Sequence, residues 1–301
     1  MKTILVTGSN GLLGQKITAK NIAEGGFSLI ATAKGVNRFP TPEGYIYAEM
    51  DILDFDQVKQ VIEEHQPDAI IHTAAMTNVD TCHEQRELAY ALNVTAIENL
   101  IAICEAYNIQ LVHLSTDFIF DGENGPYDEL DAPNPLSYYG ETKLRGEELI
   151  KNSTCKWAIL RTILVYGVIH DASRSNIVLW AKAGLEKGNQ LNIVNDQWRM
   201  PTLAEDLADA CILAVEHDAQ GVFHISGKDL MTISALVTAV ADFWHLDKNL
   251  INEISSASLN QDAKRPMRTG FILDKAMTEL NYHPHSFTEG LELIDSQLKI
   301  K

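Results

Sequence analysis

The amino-acid sequence predicts an α/β fold: a doubly wound parallel sheet with helices on both faces, followed by a smaller C-terminal α/β lobe. Three observations carry that expectation. Short apolar runs alternate with helix-patterned segments from Lys2 to Val165, glycines cluster at the first run-to-helix junction, and the rhythm changes after Gly167. Strands regularly separated by helices are joined by crossovers, which make neighbours parallel and cover both sheet faces.

Lys2 to Thr7 reads as a buried strand, Leu12 to Ala23 as the first helix and Phe27 to Ala33 as the second strand. A short third strand falls near Tyr45 to Ala48, then a helix from Phe55 to His65 and, after the Pro67-Asp68 break, a strand at Ala69 to His72. One long helix is expected from Glu84 to Tyr107, with Asn93 unusual in its interior, and then a strand at Gln110 to Ser115. The acid-, Gly- and Pro-rich stretch Asp121 to Asp131 reads as a solvated loop placed to lid a cleft. A helix from Tyr139 to Lys151 and a strand from Trp157 to Val165 close the series. Later helices are expected at Asn176 to Lys187, Leu203 to Glu216 (capped by Thr202), Thr232 to Trp244 and Phe287 to Leu298. Strands are expected at Leu191 to Val194 and Val222 to Ile225, with a loop over Asn195 to Thr202. This divides the chain into residues 1–166, also receiving about 203–226, and a lobe made of 167–202 and 227–301.

Composition narrows the partners. Hydrophobic residues at 46% and charged residues at 22% are those of an ordinary globular chain. A net charge of -17 argues against nucleic acid, whose phosphates need a basic face, but leaves room for a small anion held at a helix N-terminus. Apolar runs such as Ile4 to Val6 and Ile163 to Ile169 are too short to span a bilayer, and the start has no signal-peptide pattern, so no membrane is expected. Cys82, Cys104, Cys155 and Cys211 are scattered without a C-x-x-C pair, pointing to a reducing cytoplasm. The histidines match no metal spacing; His72 and His83 read as structural, and no metal is expected.

Thr7-Gly8-Ser9-Asn10-Gly11-Leu12-Leu13-Gly14 joins the first strand to the first helix. Gly8 permits a tight turn, Gly11 lets backbone approach a pyrophosphate, and Gly14 lets helix pack closely on strand, while the helix N-terminus supplies N–H groups. This placement points to a dinucleotide. At the end of the second strand an acid would hold an unphosphorylated ribose; here Lys34 stands there, with Arg38 nearby. Two cations favour NADPH, with NADH also open, although ordinary solvated charges read equally well.

Tyr139 and Lys143 lie four apart on an expected helix and so share one face. A nearby cation draws a phenol's pKa down and suits it to proton transfer, although the same spacing also fits an exposed pair. Ser115 and Thr116 follow a buried strand, at the end where open α/β sheets bind ligands. A hydroxyl there is a candidate to hold a carbonyl oxygen, with strand-end capping the alternative.

Taken in order, these motifs resemble the extended short-chain dehydrogenase/reductases and, within them, the dTDP-4-dehydrorhamnose reductase family. The matching pieces are T-G-S-N-G-L-L-G at 7–14, A-A-M-T-N-V-D at 74–80, A-L-N-V at 91–94 and S-T-D-F-I-F-D-G at 115–122. They continue with P-Y-D-E at 126–129, Y-G-E-T-K at 139–143, L-R-T-I-L-V-Y-G at 160–167, D-Q-W-R-M-P-T at 196–202 and R-P at 265–266. The resemblance implies a Rossmann-type domain with a substrate lobe and a Thr116–Tyr139–Lys143 triad. It implies Asp51 and Ile52 beside the adenine, Ala74, Ala75 and Ser115 along the cofactor, and Asn93 near the catalytic centre. On the substrate side it points to Thr77, Asp117, Phe118, Leu164 and Arg199. Two departures bear on the substrate: Ile163-Leu164 replace the family's Ser-Trp, and Arg199 stands where Gly is common. Arg199 suits a diphosphate clamp, because guanidinium binds phosphate oxygens bidentately; a surface Arg beside Pro is the alternative.

The reading expected from these features is a cytoplasmic, NAD(P)H-dependent reductase of a keto group on a nucleotide-activated sugar, with homodimerisation left open. Two rivals remain: an epimerase or dehydratase that retains its NAD, and a non-catalytic subunit resembling the regulatory subunit of methionine adenosyltransferase.

Overall fold

The structure, a computed structural model, describes residues 1–170, 175–259 and 263–300. Six strands follow in order through the first half: β1 (Thr3–Thr7), β2 (Ser28–Ala33), β3 (Ile46–Glu49), β4 (Ala69–His72), β5 (Gln110–Thr116) and β6 (Trp157–Thr162). The helices between them are α1 (Leu12–Glu24), α2 (Phe55–His65), the short α3 (Val79–Glu84), α4 (Arg86–Tyr107) and α5 (Tyr138–Lys151). Then come α6 (Ile177–Glu186), β7 (Leu191–Val194), α7 (Ala204–Glu216), β8 (Gly221–Ile225), α8 (Ile233–Phe243), β9 (Ile251–Ile254), α9 (Asp274–Glu279) and α10 (Phe287–Ile300).

Seven strands form one parallel sheet in the order β8-β6-β5-β4-β1-β2-β3. Successive residues of β1 show why both faces are covered. Ile4 and Val6 are buried with Ile17 of α1 and Leu207 of α7, whereas Leu5 between them is buried with Val58 and Ile62 of α2 and Ile97 of α4. Strand order reverses between β1 and β4, and the C-terminal ends of those strands border a crevice, where such sheets bind ligands. α6, α8 and α10 form a further core around Val178, Leu185, Leu236, Val240 and Leu291, beside the parallel pair β7–β9.

Four local expectations are corrected. The long helix breaks at Gln85, and its Ala91–Thr95 stretch is a π-helix around Asn93. The Asn93 side chain takes the Met76 N–H and donates to the Met76 carbonyl (each 3.0 Å) and to the Thr142 hydroxyl (3.1 Å), so it satisfies distant groups rather than its own turn. β6 stops at Thr162, because Leu164 turns into the left-handed region (φ +43). Thr202 does not cap the following helix; its hydroxyl donates to the Ile163 carbonyl at 2.6 Å. Within the Asp121–Asp131 stretch, one side chain is not solvated as the composition predicts. Tyr127 is buried, stacks on Phe120 at 4.1 Å and pairs with the Gly270 and Ile272 backbone.

Sequence reading also missed β9 and α9. The expected long helix, α4, is long and apolar enough by length and composition to cross a membrane; here half of it is buried, with Ala96, Ile97, Leu100, Ile103 and Cys104 in the core.

The strongest tie between helix and sheet lies inside. Arg161 of β6 donates from Nε and Nη2 to the two carboxylate oxygens of Glu147 on α5, at 2.9 and 2.8 Å, and both side chains are buried. Burial alone would raise the Glu147 pKa; the Arg161 hydrogen bonds and charge, helped by Lys151, outweigh it and lower it to about 2. Glu147→Gln leaves an uncompensated buried guanidinium and is expected to cost about 3–5 kcal/mol in urea unfolding at neutral pH. In wild type the contribution is present above the ordinary carboxylate value of 4.5 and lost as pH falls towards about 2. A variant as stable as wild type at pH 7 would show that the pair does not anchor α5.

Candidate active site

A cavity of about 750 Å³ opens at the C-terminal ends of β1, β4 and β5. One end is a backbone cradle. Gly8 has φ +69, and a Cβ there would lie 2.9 Å from the Ala74 nitrogen; a Cβ on Gly14 would lie 2.5 Å from Ser9 Cα. α1 begins at Gly11 with no side-chain cap and no acid in its first turn, leaving N–H groups for an anion. At the outer end, the Asn10 carboxamide oxygen accepts the Arg38 N–H at 2.8 Å, and Lys34 pairs with Asp51 at 2.7 Å. No acid follows β2 in sequence, yet folding brings Asp51 from beyond β3 to the Lys34 ammonium. The glycine cradle and the uncapped helix start fit the pyrophosphate of a dinucleotide.

At the other side of the crevice, Ser137 caps α5 by accepting the Gly140 N–H at 3.2 Å and so sets the turn that carries Tyr139. Thr142 donates to the Tyr139 carbonyl and receives the Asn93 amide, tying this turn to α4. Tyr139, Lys143 and Thr116 are all buried. Burial pushes the Tyr139 phenol well above its ordinary value, the Thr116 hydrogen bond draws it down, and Asp117 and Cys82 push it up. Lys143, one turn further along α5, donates from its ammonium to the Leu114 carbonyl (2.7 Å) and lies 3.3 Å from His113 Nε2. Burial lowers Lys143 to about 8, against the raising influence of Glu147 and Cys82.

Beyond Tyr139 the wall is built from both parts of the chain. The Thr116 hydroxyl donates to Asp117 at 3.2 Å, and Asp117 also accepts a hydrogen bond from Thr269 and faces Arg199 Nε at 3.8 Å. Arg199 is buried, and its other nitrogens donate to the Trp198 and Pro266 carbonyls at 2.7 and 2.8 Å. Its guanidinium is thereby committed to protein groups and holds the segment that presents Arg265. Arg265 lines the cavity and reaches across it to Asp80 at 2.7 Å.

Of the residues expected from the sequence, Gly8, Asn10, Gly11, Leu12, Leu13, Lys34, Arg38, Asp51, Ile52, Ala74, Ala75, Thr77, Ser115, Thr116, Asp117, Phe118, Tyr139, Lys143, Leu164 and Arg199 all line this one cavity. Gly14 does not line it and packs under the loop. Sequence reading missed Gln197, Ile233 and Arg265, although Gln197 and Arg265 stand in recognised motifs, and it set aside His72, which lies at the cavity floor.

A reversed-order parallel sheet, a glycine cradle at its first crossover and a Thr–Tyr–Lys set at the adjacent strand end define an extended short-chain dehydrogenase/reductase, a dinucleotide-dependent class of oxidoreductase. More narrowly, residues 1–299 match the model of the RmlD substrate binding domain, and the chain belongs to that family. A probable low-salt glycan biosynthesis reductase, Agl14, of Haloferax volcanii is 30% identical, covering 97% of this chain and 96% of its own. Methionine adenosyltransferase 2 subunit beta of Danio rerio is 33% identical over 88% of this chain and 81% of its own. The crystal structure of a dTDP-4-dehydrorhamnose reductase of Bacillus anthracis in complex with NADP superposes with a TM-score of 0.83 at 26% identity, covering 98% and 99% of the two chains.

The Lys143 value has two consequences. Because it lies below the free-lysine 10.5, burying the ammonium costs stability up to about pH 8, and that cost shrinks between there and 10.5. Affinity for NADPH is expected to fall as pH rises through about 8, where Lys143 loses the charge that would meet the cofactor. Fluorescence titration from about pH 6.5 to about 9.5 checks this, and a flat profile would remove Lys143 from the cofactor contact.

Proposed function

We propose that this protein uses NADPH, and less readily NADH, to reduce a keto group on a nucleotide-activated 6-deoxyhexulose of the dTDP-4-dehydrorhamnose type. One observation carries the reading: buried Tyr139, Thr116 and Lys143 share a single cavity with the glycine cradle. The dinucleotide, when bound, supplies hydride to the carbonyl carbon. Tyr139 donates its proton to the carbonyl oxygen as the hydride reaches carbon. Thr116, hydrogen-bonded to Asp117, orients the oxygen, while Lys143 binds the nicotinamide ribose. Lys34 and Arg38 favour a 2′-phosphate; Lys34 must exchange its exposed Asp51 partner to meet one. Phe118, Leu164 and Thr77 face the sugar.

Arg265 is the better diphosphate contact than Arg199. Arg265 is held at the cavity by the half-exposed Asp80 carboxylate and the nearby Ala263 carbonyl, whereas Arg199 is buried and locked into the wall. A charged hydrogen bond contributes about 1.5–3 kcal/mol, so Arg265→Gln is expected to raise KM for the nucleotide sugar by about tenfold or more, with kcat little changed. An unchanged KM would move the diphosphate elsewhere.

The decisive assay follows NADPH absorbance with a freshly generated dTDP-4-keto-6-deoxyhexulose. Wild type should consume NADPH, and Tyr139→Phe should lose about 10²–10⁴ of the rate while still binding cofactor. Substantial turnover by the variant would sink the role of Tyr139. NADPH binding without consumption by wild type would favour a regulatory subunit, as the likeness to the methionine adenosyltransferase subunit suggests.

A further inference from the structure

Beneath the cavity lies a polar chain that the proposed reaction does not use. His113, on the central strand β5, is buried; its Nε2 lies 3.3 Å from Lys143 Nζ, and its Nδ1 is buried with no hydrogen-bond partner among the described residues. Its ring stacks on His72 at 5.5 Å, and His72 Nδ1 meets the Thr7 hydroxyl at 2.8 Å. We propose that His113 is a positioning residue for Lys143: a neutral imidazole whose Nε2 accepts one ammonium N–H, so that the ammonium is aimed at the cofactor. The inference rests on the reading that Lys143 meets the nicotinamide ribose.

Donor counting supports it. An ammonium has three N–H donors and no acceptor. The Leu114 carbonyl takes one and His113 Nε2 a second, which leaves one for the cavity. For Nε2 to accept, the imidazole proton must sit on Nδ1, where no partner receives it. Retaining an orphaned N–H in the core makes sense where the opposite nitrogen has a task. A leucine in that place would satisfy packing but give the buried ammonium only a single protein acceptor. The groups facing Lys143 leave His113 as the neutral acceptor among them. Glu147 stands one turn along α5, Cys82 comes from α3, and His72 and His113 come from β4 and β5; Asp117 lies on the Tyr139 side. Burial and the Lys143 charge hold both imidazoles uncharged.

The direct test is nitrogen NMR of the wild-type protein labelled with ¹⁵N-histidine. His113 is expected to remain neutral from about pH 5 to 9, with its proton on Nδ1. A proton on Nε2 overturns the proposal, because that nitrogen then has no lone pair for the ammonium. Variants give a second arm, read as NADPH affinity against pH. His113→Leu should move the alkaline midpoint about one pH unit lower and weaken binding about fivefold at pH ~8, whereas His113→Gln, which keeps an acceptor, should stay within about threefold of wild type. A folded Leu variant that superimposes on wild type overturns the proposal. If Leu fails to fold, the NMR result decides alone. If wild-type affinity shows no pH dependence near 8, the cofactor reading of Lys143 fails, and the tautomer still decides whether His113 holds the ammonium.

Discussion

The bidentate contact between Arg161 and Glu147, buried beneath the cavity, sets the position of every group on α5 that faces the ligand space. Tyr139, Lys143 and Glu147 recur every fourth residue and therefore lie along one side of the helix. The side that presents a phenol and an ammonium to the cavity is thus anchored one turn deeper to β6. Rotating or sliding α5 would strand a guanidinium in the core, at a cost of several kcal/mol, well above the roughly 1 kcal/mol of an ordinary hydrogen bond. The same guanidinium reaches His224 of β8 at 3.2 Å and lies over Phe120, so the edge strand and the 121–131 connection share the anchor.

A second set of contacts joins the far wall to this frame. Asp117, directly after β5, takes Thr269 and faces Arg199, and Arg199 holds the Pro266 carbonyl from which Arg265 extends towards Asp80. The cavity is closed by residues more than a hundred positions apart in the chain. Its local charge also departs from that of the whole molecule. The protein carries -17, yet the cavity is lined by Lys34, Arg38, Lys143, Arg199 and Arg265 against Asp51 and Asp117. An acidic protein that presents a basic crevice can bind phosphorylated ligands while its outer surface repels polyanions.

Much of the fold was readable because the signals were local. Strand runs buried on both faces, the Ser137 cap and the glycine triplet each act within a few residues, and the elements they mark stand within a residue or two of expectation. Errors arose where distant groups overrode local preference. Asn93 distorts α4 because Met76 and Thr142 claim its side chain. Thr202 leaves the cap position because the Ile163 carbonyl competes for its hydroxyl. Asp121 to Asp131 looked solvated by composition, but Tyr127 finds Phe120 and the Gly270 backbone.

By itself the sequence determined the sheet, the first-crossover cradle and the Tyr139–Lys143 face, since each follows from periodicity or short-range sterics. Only the tertiary structure decided the electrostatics. Burial raises the Tyr139 phenol; Lys34 pairs with Asp51; Arg199 is a strut while Arg265 faces the cavity; and His113 stands under Lys143. Spacing along a chain shows which side chains share a face, but a pKa or an ion pair depends on desolvation and on partners brought from elsewhere, and those exist only once the chain has folded.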